Sequence, residues 1–510
     1  MTKQTLRPIF DTKKRIRLGI WGLGRGMSFF KSCAALNIDV VAGCDYNEHM
    51  RNRFQEFAPN AFVTSNAEEF LSRDFDAVLV ATFCPAHADD AIACLKAGKH
   101  VLSEVTSFHT MEEGVRLVEA VEKSGLVYNL AENYPFSRAN MYLEDQWRKG
   151  LFGDLMYAEY EYVHECRRLV YTYIDGLPII PGNTVHNWRS WINFHYYNTH
   201  SLGPVMHITK TRPTRVVSLP SENQLAGYIF DGKGGANPSL ISMSNGGIMR
   251  NLMGATTNDT HYQRLWGTLG AAEIAHDGLR LRLGGSGHSP KFLVDPKWPI
   301  LADHAEKTGH GGGDFWILYY FAREILFGEP APFDIYNACD CTIPGLLAYR
   351  SAMENGRPFD VPNFRDKKLR AKFRNDDYAQ KRYDVKKGCF PKNADMNTAG
   401  KFSTVMANLI DQSLKVRAYL DWEKVFDDVT EKDKVAALAT DVIDNYAVIA
   451  EAMKAARTLA NQHPGSDAAR VINEMLEHGR EDNVLSSKFL ADVKKRRSAM
   501  NRRIKKPAAH

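Results

Sequence analysis

A glycine-rich turn near the N-terminus, flanked by two apolar segments, restricts this 510-residue chain to few fold classes. Residues 16–22 alternate and then become continuously apolar, which is typical of a buried parallel strand. Gly22-Leu23-Gly24-Arg25-Gly26 follows directly, and the pattern then predicts a helix over 27–36 and a second strand over 39–44. A strand-helix-strand unit with glycines at its first turn predicts a parallel α/β domain.

The same turn points to a dinucleotide. Its glycines let the main chain approach a pyrophosphate, which the free N–H groups of the following helix can bind. The third glycine of the usual G-x-G-x-x-G pattern is missing, because Met27 stands three residues after Gly24. Asp45, however, ends the second strand, where a carboxylate accepts both ribose hydroxyls of an adenosine and repels a 2′-phosphate. The sequence therefore predicts NAD rather than NADP.

Alternating strands and helices continue through a third strand over 76–82, a helix ending at Gly98, a fourth strand over 99–104 and a fifth over 127–134. We expect residues 15–135 to form a Rossmann NAD-binding domain. The turn and the end of the second strand supply the predicted cofactor-binding residues Gly22, Leu23, Gly24, Arg25, Gly26 and Asp45, and the family resemblance described next implies Thr82, His87, Glu104, Val105 and Asn133 as well.

From about residue 15 to residue 365 the chain resembles the superfamily of glucose-fructose oxidoreductase, inositol dehydrogenase and MocA proteins (Gfo/Idh/MocA). In that superfamily a strand of this kind ends in Glu-Lys-Pro, and its lysine assists removal of a substrate hydroxyl proton during hydride transfer. Here the triplet reads Glu104-Val105-Thr106. Because valine neither accepts nor donates a proton, either another residue serves as the base or the protein is not a working dehydrogenase.

Candidate proton-transfer groups follow in the second part of the chain. The alternating segment 155–164 places Ala158, Tyr160, Tyr162 and His164 on one face of a strand, so that this face ends in a phenol and an imidazole. Aromatic packing between strands would produce the same pattern. Further on, the spacing Tyr197-x-x-His200 puts two proton-transfer groups on about one helical turn. Both could therefore point into one pocket.

Six motifs in the same order narrow the resemblance to the NAD-dependent glycoside hydrolase branch, whose best-known activity is that of α-N-acetylgalactosaminidase. What the resemblance implies is oxidation of the sugar C3 hydroxyl by tightly held NAD, removal of the C2 proton, loss of the C1 substituent, addition of water and return of the hydride. The motifs are Glu104-Val105, Glu132-Asn133, Tyr162-Val163-His164, Tyr197-x-x-His200 with Gly203-Pro204, Tyr262-x-Arg264, and Gly309-His310-Gly311-Gly312.

The resemblance also implies roles for single residues. Tyr162 would be the base at C2, while His200 and Tyr197 would handle the C3 hydroxyl proton in place of the missing lysine. Glu132 and His310 would activate the leaving group or water. The residues expected to bind substrate or to support their neighbours are Arg189, Tyr262 and His164.

The chain continues for about 145 residues beyond the part that resembles this superfamily. After residue 365 comes a charged passage and then, from about residue 401, a helical period that predicts two to four helices. We expect an α/β substrate-binding domain with a mostly antiparallel open sheet over 136–365 and a helical extension over 366–510. The extension ends in a basic tail, where nine Lys and Arg residues oppose only Asp492 after position 487. With only Phe489 as an aromatic there, nucleic-acid binding is not expected.

Composition excludes several classes. No segment approaches the roughly 18 to 20 apolar residues of a membrane span, and the N-terminus has charges where a signal peptide needs an apolar core, so we expect a cytoplasmic protein. The eight cysteines form no C-x-x-C pair, which favours reduced core residues, and no zinc-like ligand spacing occurs, so no metal is expected. The predicted partners are a carbohydrate or glycoside substrate and, by resemblance, further copies of the chain in a dimer or tetramer.

Two other functions remain open from the sequence. A plain NAD-dependent sugar or cyclitol dehydrogenase, or a 3-keto-sugar enzyme, would use His200 alone in place of the lysine and would accumulate NADH. A non-catalytic sugar-sensing or scaffold protein would use the extension to recruit partners and would tolerate loss of Tyr162 and His200.

Overall fold

The glycine-rich turn connects the first two strands of a six-stranded, wholly parallel sheet in the order β3-β2-β1-β4-β5-β6. This is the order of a doubly wound dinucleotide-binding fold. Every residue of the central strand Ala77–Val80 is buried, as expected where helices cover both faces of a parallel sheet. The strands are β1 Ile16–Trp21, β2 Ile38–Cys44, β3 Phe62–Thr64, β4 Ala77–Val80, β5 His100–Ser103 and β6 Tyr128–Leu130.

The computed structural model describes residues 9–171, 189, 192–228, 234–380 and 396–504. It divides the chain into two compact units, and both sheets belong to the first. The predicted domain limits after residues 135 and 365 stay predictions. The first unit comprises Met1–Glu165, Ile192–Asn223 and Lys233–Lys381, and the second comprises Cys166–Trp191, Gln224–Gly232 and Arg382–His510.

The helix expected over 27–36 begins earlier and is irregular. It runs from Leu23 to Leu36 as alternating α-helical and 3₁₀ turns. By contrast, Met111–Ser124 is a regular helix with clear end signals, because Thr110 and Glu113 form a capping box and Gly125 ends it at φ 66°. The other α-helices of the first unit are Glu48–Phe57, Ala67–Leu71, His87–Lys96, Arg138–Arg148, Thr199–Thr209, Ala302–Ala305, Gly313–Phe327, Ile335–Met353 and Lys367–Arg370.

A second sheet of nine strands follows, in the order β14-β13-β12-β11-β7-β10-β9-β8-β15. Strand β7 lies at its centre, antiparallel to β11 and parallel to β10, and the other pairs are antiparallel. The predicted fold class, a Rossmann domain with a mostly antiparallel second sheet and a helical extension, is confirmed. These strands are β7 Leu155–Val163, β8 Pro213–Ser218, β9 Ala236–Met243, β10 Ile248–Gly254, β11 Gln263–Gly267, β12 Gly270–Ala275, β13 Gly278–Leu283, β14 Lys291–Val294 and β15 Phe359–Asp360.

The second unit is helical and contains more helices than the two to four expected. The difference arises because some helices are separated by very short connections. Asn445 alone separates two of them, and the spacing of apolar residues in the sequence does not reveal such a break. Residues 489–504 of the basic tail form a helix, which buries Phe489, Val493 and Met500 and pairs Arg496 with Glu423. Within the described part of this unit the α-helices are Arg167–Val170, Met396–Lys424, Lys432–Asp444, Tyr446–Gln462, Asp467–His478, Glu481–Val484 and Phe489–Ile504.

Two expectations from composition can be compared with the described residues. Seven cysteines fall within them; all seven are buried, and no two of these seven form a disulfide, while Cys389 lies outside. None of the helices in the described ranges is both long enough and apolar enough to cross a bilayer.

A partly buried ion pair in the first unit, between Arg370 and Glu122, makes folding stability depend on pH. Arg370, only 3% exposed, donates two hydrogen bonds to Glu122, which also accepts one from the Tyr336 hydroxyl. The Arg370 guanidinium lowers the pKa of Glu122 to about 2, so its contribution is present above the ordinary pKa and is lost as pH falls through about 2.

We expect Glu122→Gln to lower the unfolding free energy at pH 7 by about 1–3 kcal/mol, since it removes a charged hydrogen-bond acceptor from a buried donor. The difference from wild type should shrink between pH 4.5 and pH 2, where the native carboxyl also becomes neutral. Thermal unfolding followed by circular dichroism across this range measures it. The exposed Glu56→Gln is the matched control, and an E122Q deficit that is constant with pH would contradict the assignment.

Candidate active site

Glycine is required at both ends of the dinucleotide turn. Gly22 has φ 93°, and a Cβ there would lie 2.1 Å from the carbonyl oxygen of Ala81. A Cβ on Gly26 would lie 2.4 Å from Cγ2 of Ile20. Gly26 therefore allows the close packing of helix on strand that the third glycine of the usual pattern provides, one residue earlier than expected.

The carboxylate predicted to bind ribose is fixed by the turn itself. Asp45 lies directly after β2, and its two oxygens accept hydrogen bonds from the backbone N–H of Leu23 at 2.7 Å and of Asn47 at 2.9 Å. Burial raises the pKa of Asp45 although these two bonds oppose the shift. Since a carboxylate offers about four acceptor positions, the group keeps the capacity to bind ribose hydroxyls.

Thr82 and His87, two further positions predicted to bind the cofactor, follow strand β4, and His87 is the first residue of the next α-helix. His87 is buried, with Nδ1 3.0 Å from the carbonyl oxygen of Thr106 and Nε2 3.4 Å from that of Thr82, and burial lowers the pKa of the His87 imidazole. The hydroxyl of Thr82 donates a hydrogen bond to the carboxylate of Asp90. His87 therefore contacts the main chain on both sides, at Thr82 and at Thr106.

Asn133 supplies an observation that fits a bound group. Its amide nitrogen donates to Asp314 at 3.1 Å, while its carbonyl oxygen is buried without a hydrogen-bond partner among the described residues. A buried acceptor of this kind is normally satisfied. Together with the turn around Gly22 and Asp45, it gives NAD a site whose donors and acceptors suit a dinucleotide.

Arg25, the charged residue of the turn, is held between two carboxylates. Its Nε donates to Glu104 at 2.8 Å, and its two terminal nitrogens donate to Asp314 at 2.8 and 2.7 Å. Burial alone would lower the pKa of Arg25, but Glu104, Asp314 and the phenol of Tyr197 raise it. The guanidinium is therefore an electrostatic neighbour of both the cofactor turn and the aromatic cluster described next.

Three predicted proton-transfer residues meet at the end of β7. The ring of Tyr162 lies 5.7 Å from that of Tyr197 and 4.7 Å from that of His200, and Tyr197 lies 4.7 Å from His200, between ring centroids. Tyr162 comes from the strand, whereas Tyr197 and His200 come from a 3₁₀ turn and the first turn of the following helix. All three side chains are at least nine-tenths buried.

Glu132 lies behind His200. It is fully buried, and its two oxygens lie 2.8 and 3.0 Å from Nδ1 of His200. Oε1 also accepts the backbone N–H of Tyr134 at 3.1 Å. Glu132 is therefore in direct contact with the imidazole of His200, in the geometry of a carboxylate that orients a histidine ring.

Two aromatic neighbours complete this cluster, and sequence reasoning did not single them out. The ring of Tyr134 lies 4.5 Å from that of His200 at an interplanar angle of 32°, and His261 lies 5.3 Å from Tyr162 and 5.8 Å from Tyr134. Burial, together with the nearby His164 and His200, lowers the pKa of His261. The available signals were the motif Glu-Asn-Tyr at the end of β6 and the histidine preceding Tyr262.

The predicted substrate-binding residues occupy different places. His164 lies 5.9 Å from Tyr162, with Nδ1 3.4 Å from Asp259, at the edge of the cluster. Tyr262 instead packs against His276 at 5.1 Å, and the structure does not bring it to the cluster. Arg189 belongs to the second unit, where its Nη1 lies 3.7 Å from Sγ of Cys166.

His310 lies in the glycine-rich turn before helix Gly313–Phe327. Its Nδ1 is 3.0 and 3.1 Å from the two oxygens of Asp314, and 45% of its side chain is exposed. Burial alone would raise the pKa of Asp314, but Arg25 and His310 hold it well below its usual range. Asp314 was not among the predicted residues. Within the described ranges, no three His, Cys, Asp or Glu side chains are grouped to bind a metal ion.

Comparison with known proteins agrees with this architecture. A family model described as an oxidoreductase family with an NAD-binding Rossmann fold matches residues 16–132, which span the six strands of the first sheet. A second model, the C-terminal domain of glycosyl hydrolase 109, matches residues 292–371. The chain therefore combines the NAD-binding domain of the oxidoreductase family with the C-terminal domain of glycosyl hydrolase family 109. These matches confirm the predicted family, cofactor and class of enzyme.

Individual proteins give the same result. A glycosyl hydrolase family 109 protein from Saccharopolyspora erythraea is 27% identical over 70% of this chain and 84% of its own length. An α-N-acetylgalactosaminidase from Tannerella forsythia is 29% identical over 58% of this chain and 71% of its own. An inositol dehydrogenase homologue with NAD⁺ from Azotobacter vinelandii, 18% identical with a TM-score of 0.56 over 69% of this chain and 98% of its own, shares the fold.

Proposed function

We propose that this protein is an NAD-dependent glycosidase that oxidises its substrate transiently at C3 and eliminates the group at C1. The observation that carries the proposal is the meeting of Tyr162, Tyr197 and His200 in a protein whose catalytic lysine position holds Val105. Valine cannot take a proton, whereas the two phenols and the imidazole can serve two separate proton transfers.

When bound, NAD supplies reversible hydride abstraction at the sugar C3, which makes the neighbouring C2 proton acidic. Residues that would hold NAD are those of the turn Gly22–Gly26, Asp45 and Asn133. Val105, which is 4% exposed, places an apolar side chain at the position where the superfamily has a lysine. Arg25 keeps its charge balanced by Glu104 and Asp314.

Two protons are then assigned to different residues. His200 takes the C3 hydroxyl proton, assisted by Tyr197, because Glu132 fixes the imidazole through Nδ1 and compensates the charge of the imidazolium. Tyr162 takes the C2 proton with its phenolate oxygen. His310, whose free ring edge is exposed while Asp314 holds Nδ1, protonates the leaving oxygen and later deprotonates water.

The substrate that fits best is an α-N-acetylgalactosaminide, by similarity to the Tannerella forsythia enzyme. His164 and His261, with Asp259 between them, supply hydrogen-bonding groups beside Tyr162 for polar substituents of such a sugar. Location in the cytoplasm and assembly into a homo-oligomer are part of the same proposal.

The reaction route predicts a specific isotope result. Hydrolysis of 4-nitrophenyl α-N-acetylgalactosaminide in D₂O should place one deuterium at C2 of the sugar product, because the removed proton exchanges with solvent. It should also need bound NAD and leave no accumulated NADH. Mass spectrometry of the sugar and absorbance at the NADH band measure both.

Two outcomes would contradict the route. Product free of deuterium would indicate direct displacement at C1, and NADH accumulating with free sugar would identify a dehydrogenase. Enzyme stripped of NAD is the control and should be inactive until NAD is returned.

A further inference from the structure

The glycine-rich segment Gly309–Asp314 is shaped around one carboxylate. A Cβ on Gly309 would lie 2.7 Å from Oδ2 of Asp314, and a Cβ on Gly313 would lie 2.4 Å from the carbonyl oxygen of Asn133. Gly311 and Gly312 have φ 59° and 93°, conformations that favour glycine. The conformation of this turn therefore allows the His310 ring to contact the carboxylate of Asp314.

Asp314 contacts three side chains of the site, those of Arg25, Asn133 and His310. It accepts hydrogen bonds from two nitrogens of Arg25 and one of Asn133, and both of its oxygens face Nδ1 of His310. Its side chain is 2% exposed, so the contacts are made in a nearly dry environment. Arg25 and Asn133 hold the carboxylate in place, which leaves His310 as the partner whose orientation it decides.

We propose that Asp314 is the positioning residue for His310, and that through it the protein delivers a proton to the departing oxygen of the glycoside. The inference rests on the proposed function. With Nδ1 directed at Asp314, Nε2 is the ring nitrogen available to the substrate side. Asp314 thus stands to His310 as Glu132 stands to His200, so that each imidazole has its own buried carboxylate.

The dependence of rate on the leaving group tests this assignment. In Asp314→Asn, kcat for an alkyl glycoside, whose leaving oxygen needs a proton, should fall by about 100-fold, the cost expected of a group displaced by about 1 Å. For the 4-nitrophenyl glycoside, whose leaving group departs as an anion, the loss of kcat should be much smaller, because only the later addition of water then needs His310. His310→Ala should show the same pattern, and D314N should cost little more in the H310A background.

Gly309→Ala provides a second variant that keeps the charge. Its φ of −68° suits alanine, so the main effect is the contact between the new Cβ and Oδ2 of Asp314, which displaces the carboxylate. We again expect a much larger loss of kcat for the alkyl glycoside than for the 4-nitrophenyl glycoside. Asp340→Asn is the matched control, since Asp340 is also 2% exposed and paired with Arg212 and Arg365; it should lower stability without changing the leaving-group dependence.

Each outcome separates this inference from the proposed function. Equal losses for both glycosides, or loss of bound NAD in D314N with H310A unaffected, would overturn the role of Asp314 in leaving-group protonation. Deuterium at C2 of the wild-type product does not enter this comparison. A wild type that fails to incorporate deuterium therefore removes the oxidation route, while the leaving-group comparison still decides the role of Asp314.

Discussion

Tyr162→Phe should lower kcat for 4-nitrophenyl α-N-acetylgalactosaminide by about 100- to 10,000-fold, the range that a positioned proton-transfer group contributes. The substitution removes only the hydroxyl, and the ring can keep its contacts with His200 and Tyr197. KM and the NAD content of the purified protein should stay close to wild type. The rate of C2 deuterium exchange into the free sugar should fall in parallel with kcat, because both need the same base.

Strand β7 contains a matched control for this variant. Tyr160 lies two residues away on the same face, is fully buried, and its hydroxyl has no hydrogen-bond partner in the described parts of the chain. Tyr160→Phe should therefore leave kcat unchanged and stability equal or slightly higher, since a buried hydroxyl without a partner is unfavourable. Equal activity losses in Y160F and Y162F would show that the Tyr162 hydroxyl contributes to packing of the strand and not to proton transfer.

Glu132→Gln should be nearly as damaging, with kcat reduced by up to about 10,000-fold, as when the buried carboxylate behind a catalytic histidine becomes an amide. In wild type, Oε1 accepts the N–H of Tyr134, and both carboxylate oxygens face Nδ1 of His200. The amide oxygen of Gln would stay with Tyr134, which turns the NH₂ group toward Nδ1. The imidazole then carries its proton on Nε2 and cannot accept the C3 hydroxyl proton there.

Glu113→Gln separates this effect from the general cost of altering a buried glutamate. Glu113 is similarly buried, and its carboxylate accepts the N–H groups of His109 and Thr110 at the start of helix Met111–Ser124. E113Q should lower the thermal midpoint and leave kcat unchanged, whereas E132Q should lower kcat even where it stays folded. An E132Q enzyme with wild-type kcat and an altered KM alone would contradict the orienting role.

Local patterns predicted the first sheet well, because each parallel strand is a short apolar segment and the glycine turn has a fixed meaning. Asp45 was placed correctly at the end of β2, since strand length alone determines where that residue falls. The irregular helix from Leu23 was not predicted. Its position depends on how closely Gly26 approaches Ile20, which is a contact between two elements and leaves no periodic signal.

The site was predictable where a motif or strand alternation indicated a face, as for Tyr162 and His164. The site was not predictable where the pairing register of two strands determines which side chain reaches it. Gln263 is opposite Tyr160 in the pairing of β11 with β7, so His261, and not the adjacent Tyr262, extends toward Tyr162. A shift of one residue exchanges the two faces of a strand. No pattern in the sequence reveals that choice before the strands are paired.

The pair formed by Arg25 and Asp314 has a consequence for synthesis of the chain. The two residues are 289 positions apart, whereas Glu104, the other partner of Arg25, follows after 79. At the usual rate of about 5–20 residues per second, the ribosome needs about 15–60 s to supply Asp314 after Arg25 has emerged. During the later part of that interval, after Leu130 has completed the first sheet, Glu104 is already available to Arg25 while Asp314, which we propose positions His310, has still to be synthesised.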